Sequence, residues 1–82
     1  MLETGERERL TGATAFIAHL DEGGALRPDA DLVHLTDALW ALTGPQLYTQ
    51  LTAGRDWSAD TYEHWLAATL AATLLPPPPR KQ

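Results

Sequence analysis

The chain contains no cysteine, so neither a disulfide nor a thiolate metal site supports it. Cations are scarce as well: six Lys and Arg stand against eleven Asp and Glu, for a net charge of −5. They are also scattered, as Arg7, Arg9, Arg27, Arg55, Arg80 and Lys81. A nucleic-acid surface needs clustered cations that release counterions from phosphates, so direct nucleic-acid contact by this chain is not expected. No apolar run approaches the roughly 20 residues of a membrane helix, and no membrane partner is expected. The start, Met1-Leu2-Glu3-Thr4-Gly5-Glu6, lacks the basic-then-apolar order of a signal peptide, which points to the cytoplasm.

What remains is an apolar and foldable chain. Of 82 residues, 44% are hydrophobic, including three tryptophans, too many for a disordered segment. A chain of this size buries only about 60% of its unfolded surface, so its core is marginal and association with a second copy is expected to support it.

The spacing predicts an all-α fold of three to four helices in an antiparallel, bundle-like arrangement over residues 1–75. The first helix runs from about Glu6 to Asp21, with Leu10, Ala13, Ile17 and Leu20 on one face and Phe16 widening it. Gly12 weakens it or packs closely on something, and Gly23-Gly24 stops it. The second begins near Asp29, capped by Asp29 or Asp31, and carries the stripe Leu32, Leu35, Leu39 and Leu42, with Val33, Ala38 and Trp40 beside it. Thr43-Gly44-Pro45 imposes a kink or a restart, after which Leu47, Tyr48 and Leu51 continue to about Ala53, and Gly54 ends the segment.

Ser58 caps the last helix, and Trp57 before it with Tyr62 after it match a hydrophobic staple. Tyr62, Trp65, Leu66, Leu70 and Leu74 form its apolar side. Ala67, Ala68, Ala71 and Ala72 leave room for another helix to approach closely. Residues 76–82 read as a proline-rich disordered tail. The order Pro76-Pro77-Pro78-Pro79-Arg80-Lys81 also fits a ligand for aromatic grooves such as SH3 domains, although a plain stop after a helix accounts for it as well.

Chemistry-bearing residues are few. His19, His34 and His64 fall in different elements, without the paired spacing a zinc site wants. His34 and Asp37 share a helix face, which suits an oriented imidazole but equally an ordinary solvated surface. Glu3, Glu6 and Glu8 interleave with Arg7 and Arg9 as local ion pairs would. No nucleophile motif, metal spacing or phosphate-binding glycine loop is present, so no enzyme, cofactor or metal is expected. The aromatics Phe16, Trp40, Tyr48, Trp57 and Tyr62, with Trp65, suit either a core or the lining of an apolar pocket.

The run Asp37-Ala38-Leu39-Trp40-Ala41-Leu42-Thr43-Gly44-Pro45-Gln46-Leu47-Tyr48 resembles a D-x-L-W-A-L-T-S-P-x-x-Y pattern common in the C-terminal region of TetR-family transcriptional regulators. Arg55 through Leu66 is similar to a second pattern of that region, R-G-W-S-x-x-x-Y-E-x-W-L, and Gly24-Ala25-Leu26-Arg27-Pro28 is similar to the linker upstream. The resemblance spans most of residues 13–75. Gly44 stands where serine is commoner in the family, and Asp56 where glycine is commoner.

The resemblance implies a homodimerisation and partial effector-binding module, with residues 30–53 and 59–75 forming the dimer seam through Trp65, Leu66, Leu70 and Leu74. It also implies a small apolar effector held by the helical region. The family's helix-turn-helix domain is not recognisable in these residues. An alternative from another class is a stand-alone interaction protein that heterodimerises with a full-length regulator.

Overall fold

Four α-helices follow one another as α1 (Leu2–Glu22), α2 (Leu32–Leu42), α3 (Pro45–Thr52) and α4 (Ala59–Leu74). The structure, a computed structural model, describes residues 2–77, and among these there is no strand. The Pro78–Gln82 part of the expected tail lies outside the described residues. Pro76 and Pro77 are non-helical, following Leu75 in the extended region.

Local chemistry accounts for the helix ends. Gly24 adopts φ 70°, its N–H donates to the Asp21 carbonyl, and the Ala25 N–H donates to the Leu20 carbonyl at 2.9 Å. That pairing satisfies two carbonyls α1 leaves open, and it needs a left-handed residue that glycine supplies cheaply. Asp31 caps α2, its Oδ1 accepting from the N–H groups of Val33 and His34 at 3.0 and 3.2 Å. Ser58 caps α4 by accepting from the Thr61 N–H at 3.0 Å. Pro45 restarts the chain as the first residue of α3, where its missing N–H has no helical partner to lose.

The turn between α3 and α4 is more demanding. A Cβ on Gly54 would lie 2.4 Å from the Gln50 carbonyl oxygen, so the site excludes side chains. Asp56 takes φ 63°, the left-handed region. This is the position where the resembled pattern carries glycine, and aspartate is among the few other residues that tolerate it.

α2 is the central element, packed against both α1 and α4, while α3 packs on α4. Arg9, early in α1, donates to the Trp40 carbonyl near the end of α2. Tyr62, early in α4, donates to the Leu42 carbonyl, so α1 and α4 both run antiparallel to α2. Ala13, Ile17, Leu26, Leu35, Leu39 and Leu74 form the buried aliphatic cluster, with Leu20, Ala30, Trp40 and Leu70 packed on it. Leu26 enters from the α1–α2 connection. The next residue ties that connection to α4, since the Arg27 N–H donates to the Leu74 carbonyl at 3.0 Å.

The assembly is flat, 40 × 35 × 15 Å. Helices pack at about 8–10 Å between axes, so it is no more than two helices deep in its thin direction. Its accessible surface of 6279 Å² exceeds the roughly 4,900 Å² of a compact monomer of this mass. Phe16 is 48% exposed and so belongs to no core, contrary to expectation: its position on α1 turns away from Ala13 and Ile17, which face α2. Leu10, Leu32 and Val33 are exposed too, and Val33 is 70% accessible.

Leu26→Ala is expected to destabilise the fold by about 2–4 kcal/mol in urea titrations, because it empties a core position. Val33→Ala, on the open face, should cost no more than about 0.5 kcal/mol. Asp56→Val should lower stability by about 1–2 kcal/mol, whereas Asp56→Gly should leave it unchanged or raise it slightly.

Candidate functional site: the open faces of a thin helical assembly

The side chains expected to make a dimer seam divide between two environments. On α4 the large residues Tyr62, Trp65, Leu66, Leu70 and Leu74 share one face, and that face turns inward. Leu74 is 4% exposed within the subunit, Leu70 packs on the same cluster, and Trp65 and Leu66 are half-buried. Leu74 of the expected seam is therefore held within the subunit, while Trp65, Leu66 and Leu70 keep only part of their surface open to a partner. The opposite face carries Ala67, Ala68, Ala71 and Ala72, all exposed. Between Ala67 and Leu75 it holds no charge. It is this methyl-lined face that stands uncovered.

The aromatic residues form a ladder. The Tyr48 ring of α3 meets Tyr62 edge-on at 5.0 Å, Tyr62 meets Trp65 at 6.0 Å, and Trp65 meets Trp57 edge-on at 5.7 Å. Edge-to-face pairs at these distances are favourable for rings with a negative face and a positive rim. The staple is thus made differently from expectation: the ring pairing that fixes Trp57 is with Trp65, one turn beyond Tyr62. Tyr62 is buried, Trp57 and Trp65 half-buried, and Tyr48 exposed.

Trp40 stands apart from the ladder. It leans on the aliphatic cluster with the Arg9 guanidinium 5.1 Å over its ring.

Two open troughs border these features. One, of about 310 Å³, lies between α1 and α2 and is lined chiefly by Leu10, Thr14, Ile17, Leu32, Val33 and Thr36. The other lies at the end of α4 over Ala68, Ala71, Ala72 and Leu75, with Arg27 at its edge. Neither is lined by Phe16, Trp40, Tyr48, Trp57 or Tyr62. Of these aromatics, expected either in a core or along an apolar pocket, Tyr62 is buried, Trp40 and Trp57 are half-buried, and Phe16 and Tyr48 are exposed. An enclosed small-molecule site buries most of its ligand; both troughs are open to solvent.

The histidines are separate surface residues. His34 Nδ1 stands 3.4 Å from Asp31 Oδ2, on the preceding turn, rather than being oriented by Asp37. His64 Nδ1 donates to the carbonyl of Asp60 in its own helix. Among the described residues no three His, Asp or Glu side chains come together in a metal-ligating group. Of the interleaved charges near the start of α1, Arg9 pairs with Glu6.

Sequence reasoning missed Leu26 and Arg27. The Arg27 guanidinium reaches the carbonyls of Ala72 and Thr73 at 3.4 Å, across more than half the chain. The available signal was a lone leucine in a Gly-Gly-Ala-Leu-Arg-Pro connection, where a purely solvated turn has no use for one. No helix among the described residues is long and apolar enough to cross a membrane. Comparison with protein-family models, curated proteins and solved structures finds no match for the chain.

Proposed function

We propose that these 82 residues act as a dimerisation module of a TetR-like transcriptional regulator, with the exposed alanine face of α4 as the centre of the seam. The uncovered, uncharged run of Ala67, Ala68, Ala71 and Ala72 carries the proposal. Small side chains let helix axes approach closely, and the only charge lining this face, Arg27, stands at its edge, where it need not be desolvated. Domains commonly bury the apolar faces of their helices between packed layers, and this one is too thin to do so by itself.

The resemblance adds support in order and spacing. The first resembled run spans the α2–α3 junction and the second spans the turn into α4, and they meet through Tyr48 and Tyr62. The trough between α1 and α2 is the part of the chain with the apolar character a small effector requires, and on this reading other surfaces complete it.

Sedimentation analysis of the purified chain should give a dimer at micromolar concentration. Ala71→Glu should weaken association at least about 100-fold, as an unpaired charge in a seam costs several kcal/mol, while leaving helical content and monomer stability intact. Leu74→Asp should instead unfold the subunit. A wild-type chain that remains a compact folded monomer at these concentrations overturns the proposal.

A further inference from the structure

The first half of α1 differs from the second. Residues of α1 enter the buried cluster only from Ala13 onward, and Leu10 before it is 42% exposed. Between the two halves stands Gly12, where an added Cβ would meet nothing within 4 Å. Packing does not require glycine there, and a glycine inside a helix lowers its stiffness and stability relative to alanine.

Arg9 is what joins the first half to the rest. It pairs with Glu6 on its own helix, donates to the Trp40 carbonyl, and lies over the Trp40 indole. A cation beside the last carbonyls of a helix and over an indole face is doubly favoured. Gly44 borders this seat: a Cβ there would lie 2.8 Å from Gln46 Oε1 and 2.9 Å from Arg9 Nη2, the movable ends of two side chains. The closed arrangement carries a built-in opposing term, since Trp40 Nε1–H is buried without an acceptor. Water would satisfy that donor once Arg9 lifts away.

We propose that residues 5–11 form a hinged arm, latched by Arg9 onto Trp40, whose release hydrates the Trp40 indole and removes Leu10 from the wall of the α1–α2 trough. The orphaned indole donor opposes the favourable seat of Arg9 and favours release. The arm thereby controls the width of the trough. This inference stands independently of the dimerisation proposal.

Hydrogen exchange measured by NMR on the full chain tests it. The backbone amides of Ala13 to Ala15, which in the helix donate across Gly12 to the carbonyls of Arg9 to Thr11, and the Trp40 indole Nε1–H are expected to exchange with one common protection factor, below that of Ile17. Arg9→Ala should accelerate all of them about tenfold while leaving Ile17 unchanged. Gly44→Ala, which crowds the seat without touching the arm, should act in the same direction, and Gly12→Ala should slow exchange. Protection that rises residue by residue from Ala13 to Ala15 and ignores both Arg9→Ala and Gly44→Ala would mark ordinary end fraying and overturn the latch. So would an indole N–H as protected as Ile17.

Discussion

Everything in this fold hangs on α2 serving two neighbours at once. Its inward positions Leu35 and Leu39 share one aliphatic cluster with Ala13 and Ile17 of α1 and with Leu74 of α4. A four-residue spacing places two leucines on one helix face, and here that stripe must shelter both partners. Ile17 alone reaches near-complete burial among the large side chains. The remaining apolar faces of α1, α2 and α4 lie outside the stripe's reach, and the flatness of the molecule follows from that geometry.

Because the aliphatic cluster is small, the helix ends bear an unusual share of the tertiary structure. Neither α2 nor α4 has a basic residue in its last turn to complement its partial negative charge. The donors come from elsewhere: Arg9 and the Tyr62 hydroxyl at the end of α2, Arg27 at the end of α4. Each satisfies carbonyls that a helix leaves open, and each also ties together elements distant in sequence. The aromatic ladder performs the corresponding task for α3, which contributes nothing to the aliphatic cluster and is held to α4 through Tyr48 and Tyr62.

The features legible in the sequence are those whose causes are local. Asp31 and Ser58 announce helix starts because a cap bonds within three residues of itself. Gly23-Gly24 and Gly44-Pro45 announce breaks because their backbones permit or forbid what neighbours cannot. Facing was harder to read. α4 is apolar on both sides, so periodicity identifies a helix without saying which side is inside; side-chain length decides it, since leucines span the gap to α2 and alanines do not. On α1 length does not decide it: the short Ala13 is buried and Phe16, one position off the inward stripe, is exposed, a rotation that hydrophobicity does not resolve. Arg9 and Arg27 looked like ordinary surface charges because their partners are carbonyls, which leave no trace in a pattern of side chains.

The two positions at which the chain departs from the resembled motif carry opposite physical consequences. At Asp56 the backbone adopts the left-handed conformation that glycine favours, so aspartate holds the turn with modest local strain. At Gly44 the backbone is ordinary and extended, so a serine would fit the φ and could cap α3, which now has no side-chain cap. A side chain there would project between the ends of Gln46 and Arg9, two flexible groups that would have to shift. The packing of α1 on α2 does not depend on this position, because Ala13 and Ile17 meet Leu35 and Leu39 in the aliphatic cluster, and Arg9 adds a polar tie at the far end of α2. Glycine is itself an acceptable residue before a helix, and at this one the guanidinium of Arg9, thirty-five positions upstream in sequence, lies against the helix start.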